Sequence, residues 1–242
     1  MKLLHLYHDI MNLYGDYANI SALTRIFGNS SIDCTVDKRS LADEVDLRPY
    51  DFIYIGSGTE KNRNVVMADM QKYKEALREK RDSGTPILLT GNAFEMLGQS
   101  VTDAAGTAHE GLGLYDFTVT EQNKTRTTSD AILTASFSDK PLVGFINKCS
   151  EIEGIHSPLF TVQMGLGNNS HDKYEGLHDH CLFGTHLTGP VLIKNPHFLI
   201  YLAQQIAGEK APISVEYLTY ENAAYQISLH ELQQRKESTT VH

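Results

Sequence analysis

Several stretches of this chain carry residue types whose spacing could support chemistry. In "PILLTGNAFEMLGQ", residues 86–99, an apolar run ends in Thr90-Gly91-Asn92 and passes into a short amphipathic helical pattern. Sharp strand-to-helix turns of this kind present a nucleophilic Ser or Cys, because the strained geometry pushes one side chain into the open beside a helix N-terminus. Here the apex is Gly91, which has no side chain. "YDFIYIGSG", residues 50–58, also ends in a turn, Gly56-Ser57-Gly58, whose amides could form an anion or oxyanion nest. It lacks both the Gly-Lys-Ser/Thr of a Walker loop and the three-glycine dinucleotide spacing, so by itself it reads as a tight turn.

The densest group of possible metal ligands is "HDKYEGLHDHC", with His171, Asp172, Glu175, His178, Asp179, His180 and Cys181. A zinc or iron site needs three or four donors converging on one point. If residues 178–181 are extended, His178 and His180 face away from Asp179 and Cys181, so the stretch reads as a polar loop leading into a strand and no metal is expected. Thiol catalysis needs a thiolate near a base or a helix N-terminus. Cys149, in "FINKCSEIEG", has Lys148 beside it and His156 downstream, which are ingredients of an activated thiol, whereas Cys34 and Cys181 read as small core residues.

Composition narrows the classes. A chain of 242 residues with 41% hydrophobic content can bury a full core. A formal net charge of −9 argues against a nucleic-acid or acidic-membrane surface. Three cysteines with no CxxC pair suggest free thiols rather than a disulfide framework or structural zinc. No apolar stretch has the length of a membrane span, and the N-terminus turns polar too soon for a signal peptide, so a cytoplasmic protein is expected.

The elements that must position these residues alternate. Residues 2–8 read as a strand, 16–27 as a helix, 50–58 as a strand, 65–81 as a helix stopped by Ser83-Gly84, and 86–90 as a strand followed by a helix that includes residues 94–97. Such alternation implies parallel strands, a sheet covered on both faces, and ligands collecting at the carboxyl ends of the strands, where both Gly turns would lie. Residues 98–116 read as a loop. "LYDFTVTE" and "AILTASF", with polar "QNKTRTTSD" between them, read as an antiparallel insertion. "CLFGTHL" reads as one strand and 196–207 as a helix, and the tail begins as a helix and ends polar.

Taken together, "MNLYGDYAN" (11–19), "YDFIYIGSGTEKN" (50–62), "PILLTGNAFEMLGQ" (86–99), "VGFINKCS" (143–150) and "GLGNNSHDKYEGLHDHCLFGTHLTGPVLIKNP" (165–196) resemble the class I glutamine amidotransferases of the cobyric acid synthase type. Within that family they resemble the amidotransferase subunit of lipid II isoglutaminyl synthase. The resemblance implies a three-layer, flavodoxin-like α/β fold with a mostly parallel sheet and helices on both faces. It covers a domain over residues 1–208, leaving 209–242 as a partly helical extension.

The family's nucleophile lies in a pattern like Cys-Gly-Gly-Tyr-Gln-Leu-Leu-Gly. Here it reads Gly91-Asn92-Ala93-Phe94-Glu95-Met96-Leu97-Gly98, so the nucleophile position is Gly91. The base lies in a pattern like Gly-Thr-Tyr-Leu-His-Gly-Pro, which here is Gly184-Thr185-His186-Leu187-Thr188-Gly189-Pro190, so the base position is Thr188. A pattern like Gly-Phe-Glu-Asn-His becomes Gly144-Phe145-Ile146-Asn147-Lys148, and a Gly-Gly-Gly-Gln-Asp turn becomes Gly56-Ser57-Gly58-Thr59-Glu60.

Glycine cannot form an acyl enzyme, and threonine cannot shuttle a proton near neutral pH as imidazole can. Nucleophile and base act as a unit, so losing both leaves little rate. His186 would lie roughly 6–7 Å from the base position on an extended strand. The expectation is therefore a homologue that does not hydrolyse glutamine and serves as a binding or regulatory subunit of a Mur-ligase-like synthetase acting on a peptidoglycan precursor. Gly56, Gly58, Asn92 and Arg126 are its candidate binding residues, with Arg126 resembling a family arginine that holds the glutamine carboxylate. Two alternatives stay open: an amide hydrolase with relocated residues, Cys149 and His186, and a glutamine sensor. No cofactor is implied.

Overall fold

The computed structural model describes residues 1–122, 126–208 and 211–240. Residues 123–125 of the polar stretch, and 209–210 and 241–242 of the C-terminal extension, lie outside the described residues. The chain begins β1 (Lys2–Leu6), α1 (Tyr17–Asn29), β2 (Thr35–Arg39), β3 (Phe52–Ile55), α2 (Glu60–Met70), α3 (Lys74–Asp82) and β4 (Ile87–Thr90). A 3-10 segment, Gly91–Leu97, follows β4. The middle adds β5 (Ser100–Thr102), β6 (Ala108–Glu110), β7 (Thr118–Glu121), β8 (Thr127–Ala135), β9 (Ser138–Lys148), β10 (Ser150–Glu153), β11 (Phe160–Met164) and β12 (Tyr174–Glu175). It closes with β13 (Leu177–Asp179), β14 (Leu182–Thr185), β15 (Leu187–Thr188), α4 (Val191–Lys194), α5 (Pro196–Ala207) and α6 (Thr219–Thr240).

The main sheet has the order β13-β14-β4-β3-β1-β2, parallel throughout except for the antiparallel edge strand β13. Its inner strands β3, β4 and β14 are buried on both faces, as a sheet covered on both sides requires, whereas the edge strand β2, Thr35–Arg39, is polar and is not among the expected strands. Ile53 and Ile55 of β3 face one core, and Phe52 and Tyr54 the other; Ile87 and Leu89 of β4 likewise oppose Leu88. The first core is closed by Val66, Met67, Met70 and Leu77 of α2 and α3. The second is closed by Leu23 and Phe27 of α1 with Phe198 and Leu202 of α5. This is the three-layer α/β arrangement with helices on both faces. Two further sheets are present among the described residues: β10-β7-β5-β6, and an antiparallel β12-β11-β8-β9-β15.

Several local expectations need correction. The helix expected over 65–81 begins at Glu60, where the Thr59 side chain accepts from the Asn62 amide at 3.1 Å, and is interrupted at Gln71–Tyr73. The segment after β4 is 3-10 rather than α, tightened as it enters the packed elbow. Residues 98–116 are not a plain loop, since β5 and β6 pair within them. "CLFGTHL" divides into β14 and β15, which pair in different sheets and turn about buried His186. Residues 178–181 are not extended: His180, at φ +52°, is the turn of the β13–β14 hairpin.

The final helix docks on its own domain. Tyr225 and Leu232 of α6 join Ile132 and Val143 of β8 and β9 in a third apolar cluster. Tyr225 Oη donates to the Pro141 carbonyl at 2.6 Å, Arg235 pairs with Asp130 at 2.7 Å, and Glu221 pairs with Arg25 of α1. No helix among the described residues is long and apolar enough to cross a membrane. Leu232→Ala should remove about 2–4 kcal/mol of packing and release α6 locally. Hydrogen exchange is expected to quicken over residues 219–240 while β1, β3 and β4 keep their protection. A uniform loss across the main sheet would show instead that α6 opens only with global unfolding.

Candidate functional site

At the carboxyl ends of β3 and β4 the two glycine turns meet. Asn92 bonds the Gly58 backbone twice, accepting from its amide at 3.0 Å and donating to its carbonyl at 2.9 Å. Gly91 takes φ +60°, the left-handed conformation of a strained elbow. A Cβ at this position would lie 2.2 Å from the Cβ of Ser57 and 3.1 Å from its Oγ. Since the Ser57 Cβ is fixed by its backbone, rotating the hydroxyl relieves nothing. The elbow keeps its backbone, and Ser57 fills the volume of the missing side chain.

Ser57 is anchored from below. Its amide and hydroxyl both donate to Asp16 Oδ2, at 2.6 and 2.5 Å. Burial pushes the Asp16 carboxyl up to about 6, against the Ser57 and Thr90 bonds that pull it down. A folded carboxyl that holds its proton more tightly than the unfolded one stabilises the fold most below the ordinary carboxylate range. That contribution is lost as pH rises through about 6. With Ser57 donating to Asp16 and Gly58 to Asn92, the amides expected to form a nest are already satisfied internally. Gly56 lies behind the cleft, where a Cβ would meet the Met11 carbonyl at 2.5 Å.

Around one cleft the structure gathers Gly58, Gly91, Asn92, Arg126, Cys149, His186 and Thr188. Its enclosed space is about 20 Å³, room for little more than one water. Thr188 Oγ donates to the Phe145 carbonyl at 3.1 Å. The Cys149 thiol is pushed up to about 12, first by burial and then by the adjacent Glu60 carboxylate, so it carries no thiolate near neutral pH. Arg126, at the mouth, pairs with Glu60 and donates to Asn147 Oδ1 at 3.0 Å.

The floor of the cleft holds charges whose roles the sequence did not reveal. Glu95, four residues after Gly91, is 1% exposed. It pairs with fully buried Arg63 of α2 at 2.5 Å, accepts from Ser150 Oγ at 2.5 Å, and lies 3.2 Å from His186 Nε2. Burial opposes its ionisation, but the Arg63 guanidinium and then His186 overcome this and hold the carboxyl down to about 2. With Glu95 ionised, His186 Nε2 carries the hydrogen of that bond. On the other side, His186 Nδ1 lies 3.3 Å from buried Glu175 Oε1, out of line for a hydrogen bond. Glu175 instead accepts from the His186 amide and from Thr185 Oγ, each at 2.7 Å. Arg63 also pairs with Glu121 of β7. Lys148 is buried and donates to the carbonyls of Gly167 and Asn168 at 2.8 and 2.7 Å, and burial lowers its pKa.

The remaining His and carboxylate residues of 171–181 do not converge. His180 Nδ1 sits 2.7 Å from Asp179, and His178 stacks on Phe183 with ring centres 4.9 Å apart. Among the described residues no group of three or more His, Cys, Asp or Glu side chains could hold a metal ion. The signal that could have found Glu95 was its place in the elbow pattern, where the resembled family has Gln.

The overlap at Gly91 has a measurable consequence. Gly91→Cys should destabilise by about 2 kcal/mol or more, through overlap and left-handed strain. Ser57→Gly in the same chain should recover part of that loss, giving a coupling of about 0.5–3 kcal/mol in a denaturant double-mutant cycle. Strict additivity would show that Ser57 does not fill the elbow.

Comparison with known proteins agrees with this geometry. The profile of the CobB/CobQ-like glutamine amidotransferase domain matches residues 2–196. The GatD subunit of lipid II isoglutaminyl synthase (glutamine-hydrolyzing) from Staphylococcus aureus (strain N315) is 31% identical over 210 residues, 87% of this chain and 86% of that one. Its Streptococcus pneumoniae (strain ATCC BAA-255 / R6) counterpart is 28% identical over 228 residues, 93% and 88% of the two chains. Among solved structures, a glutamine amidotransferase superposes with a TM-score of 0.57 at 12% identity, covering 85% of this chain and 99% of that one. Another, from Thermotoga maritima, gives 0.52 at 11%, covering 98% and 92%. These two share the fold. With the family's domain matching residues 2–196, most of this chain, and an elbow of its kind present in the backbone, the chain belongs to the CobB/CobQ-like glutamine amidotransferases.

Proposed function

We propose that this protein is a glutamine amidotransferase homologue that does not hydrolyse glutamine and serves as a binding or regulatory subunit of a Mur-ligase-like synthetase in the cytoplasm. One observation carries the reading: at the elbow, Gly91 leaves no nucleophile and Ser57 leaves no room for one. Amide hydrolysis through an acyl enzyme needs a nucleophile, a base and oxyanion donors. The base position is Thr188, whose hydroxyl is committed to a backbone carbonyl.

Relocation to Cys149 is disfavoured by the thiol's raised pKa. It donates to the Glu60 carboxylate at 3.3 Å, and the Arg126 guanidinium, 3.9 Å from the sulfur, is itself paired with Glu60, so its pull towards the thiolate is outweighed by burial and that carboxylate. His186 is engaged by Glu95, which favours a fixed structural role over that of a free proton carrier. Support for the synthetase partnership comes from the two relatives described by name as subunits of lipid II isoglutaminyl synthase.

The test is glutamate release from glutamine by the purified chain, alone and with a Mur-ligase-like partner. No release above the uncatalysed rate is expected. Restoration requires three changes together, Ser57→Gly, Gly91→Cys and Thr188→His, and the Gly91→Cys, Thr188→His pair alone should remain silent. Turnover by the unaltered chain at an enzyme-like rate would overturn the reading.

A further inference from the structure

The rim of the cleft is tied shut by a chain of contacts from four separate segments. Glu60, the first residue of α2, pairs with Arg126 of the segment before β8. The Cys149 thiol donates to Glu60 Oε1 at 3.3 Å. Arg126 also donates to Asn147 of β9, whose amide donates in turn to Tyr14 Oη at 2.9 Å. Tyr14 stands in the left-handed region at φ +59°, an uncommon conformation for an aromatic residue that the surrounding contacts must hold. Beneath this rim the space admits about one water, so an amino acid does not fit while the rim is closed.

We propose that Glu60 is an internal cap: it occupies the Arg126 guanidinium in the resting protein and is displaced when a small ligand bearing a free carboxylate enters the cleft. This rests on the reading of the chain as a binding subunit with a vacated catalytic centre. The chemistry of the contact favours exchange. Arg126 presents a planar fork of donors that matches any carboxylate, and the one it holds now belongs to the protein itself. The pair is partly exposed, with Arg126 and Glu60 side chains 41% and 30% accessible, so screening by water keeps its net strength small. An incoming carboxylate therefore replaces one weak, screened pair by an equivalent one made inside the cleft. The displacement needs no refolding, because α2 is held by its own cap at Thr59 and only the Glu60 side chain has to swing out. Its departure also breaks the Cys149–Glu60 contact and leaves the thiol only the longer 3.9 Å contact from Arg126, so the rim loosens at two points together.

The test is calorimetric titration of the full chain with L-glutamine and with glutamine amidated at its α-carboxyl, for the unaltered protein, Glu60→Gln and Arg126→Gln. Glu60→Gln is expected to tighten L-glutamine by about twofold to fivefold, the range set by a partly exposed ion pair. It should leave the amidated probe unchanged, and Arg126→Gln should abolish the preference for the free carboxylate. Glu60→Asp, which keeps the charge but shortens the reach, should tighten binding less, and it serves if Glu60→Gln folds poorly. If the unaltered chain binds L-glutamine and Glu60→Gln does not bind it more tightly, the cap is wrong while the binding reading stands. If neither binds at millimolar concentration, both fall. Hydrolysis of the probe overturns the non-hydrolysing reading alone.

Discussion

The buried carboxylate of Glu95 is where the three sheets of this protein are joined. It sits on the 3-10 segment leaving β4 of the main sheet and takes a hydroxyl from Ser150 of β10 in the second sheet. It also faces His186, at the junction where the chain passes from β14 of the main sheet to β15 of the third. Arg63 of α2 binds it and carries the connection onward to Glu121 of β7. An ionised group so deeply buried is tolerated only when it is fully paired, and removing one partner of such a pair costs about 3–5 kcal/mol. The relative positions of the sheets around the cleft thus depend on Glu95 keeping its charge.

The departures from the amidotransferase pattern are neighbours in space as well as in role. Glu95 stands where the pattern has Gln, His186 where it has Tyr, Ser57 where it has Gly, and Gly91 where it has Cys. Glu95 contacts His186, and Ser57 occupies the volume above Gly91. Thr188 and Lys148, standing where the pattern has His, line the same cleft. Together these residues fill the space above Gly91 with Ser57, pair Glu95 with Arg63 and His186, place Lys148 against two backbone carbonyls, and leave the backbone of the elbow in its strained form. In the structure the polar groups that line the cleft are bonded chiefly to one another.

Much of this was legible in the sequence where local periodicity or a long motif carried it. The alternation of apolar strands with helices located β1, β3, β4 and β14 of the main sheet but not its polar edge strands β2 and β13, α5 fell at Pro196–Ala207 as read, and the elbow pattern located Gly91. What could not be read depends on contacts distant in sequence. The break between α2 and α3 and the short β5–β6 pairing are set by tertiary packing rather than by period. His186 appeared to continue one strand, but a turn between two sheets points it at Glu95 instead. Glu175 read as part of a possible metal-binding group and proves to be a buried acceptor for the same turn. Ser57 looked like an ordinary turn residue, and only its 2.2 Å approach to the missing Cβ of Gly91 reveals what it does.

The most direct measurement is a carbon-13 carboxylate NMR titration, with Glu95 assigned by comparison with Glu95→Gln. A carboxyl whose folded pKa is depressed stabilises the fold above its unfolded value, near 4.5, and loses that contribution as pH falls through its folded value, about 2. The Glu95 resonance is expected to stay at its ionised position through the ordinary carboxylate range, moving only near pH 2 or on acid unfolding. A titration midpoint at or above the ordinary glutamate value in the folded protein would contradict a cleft built around this charge.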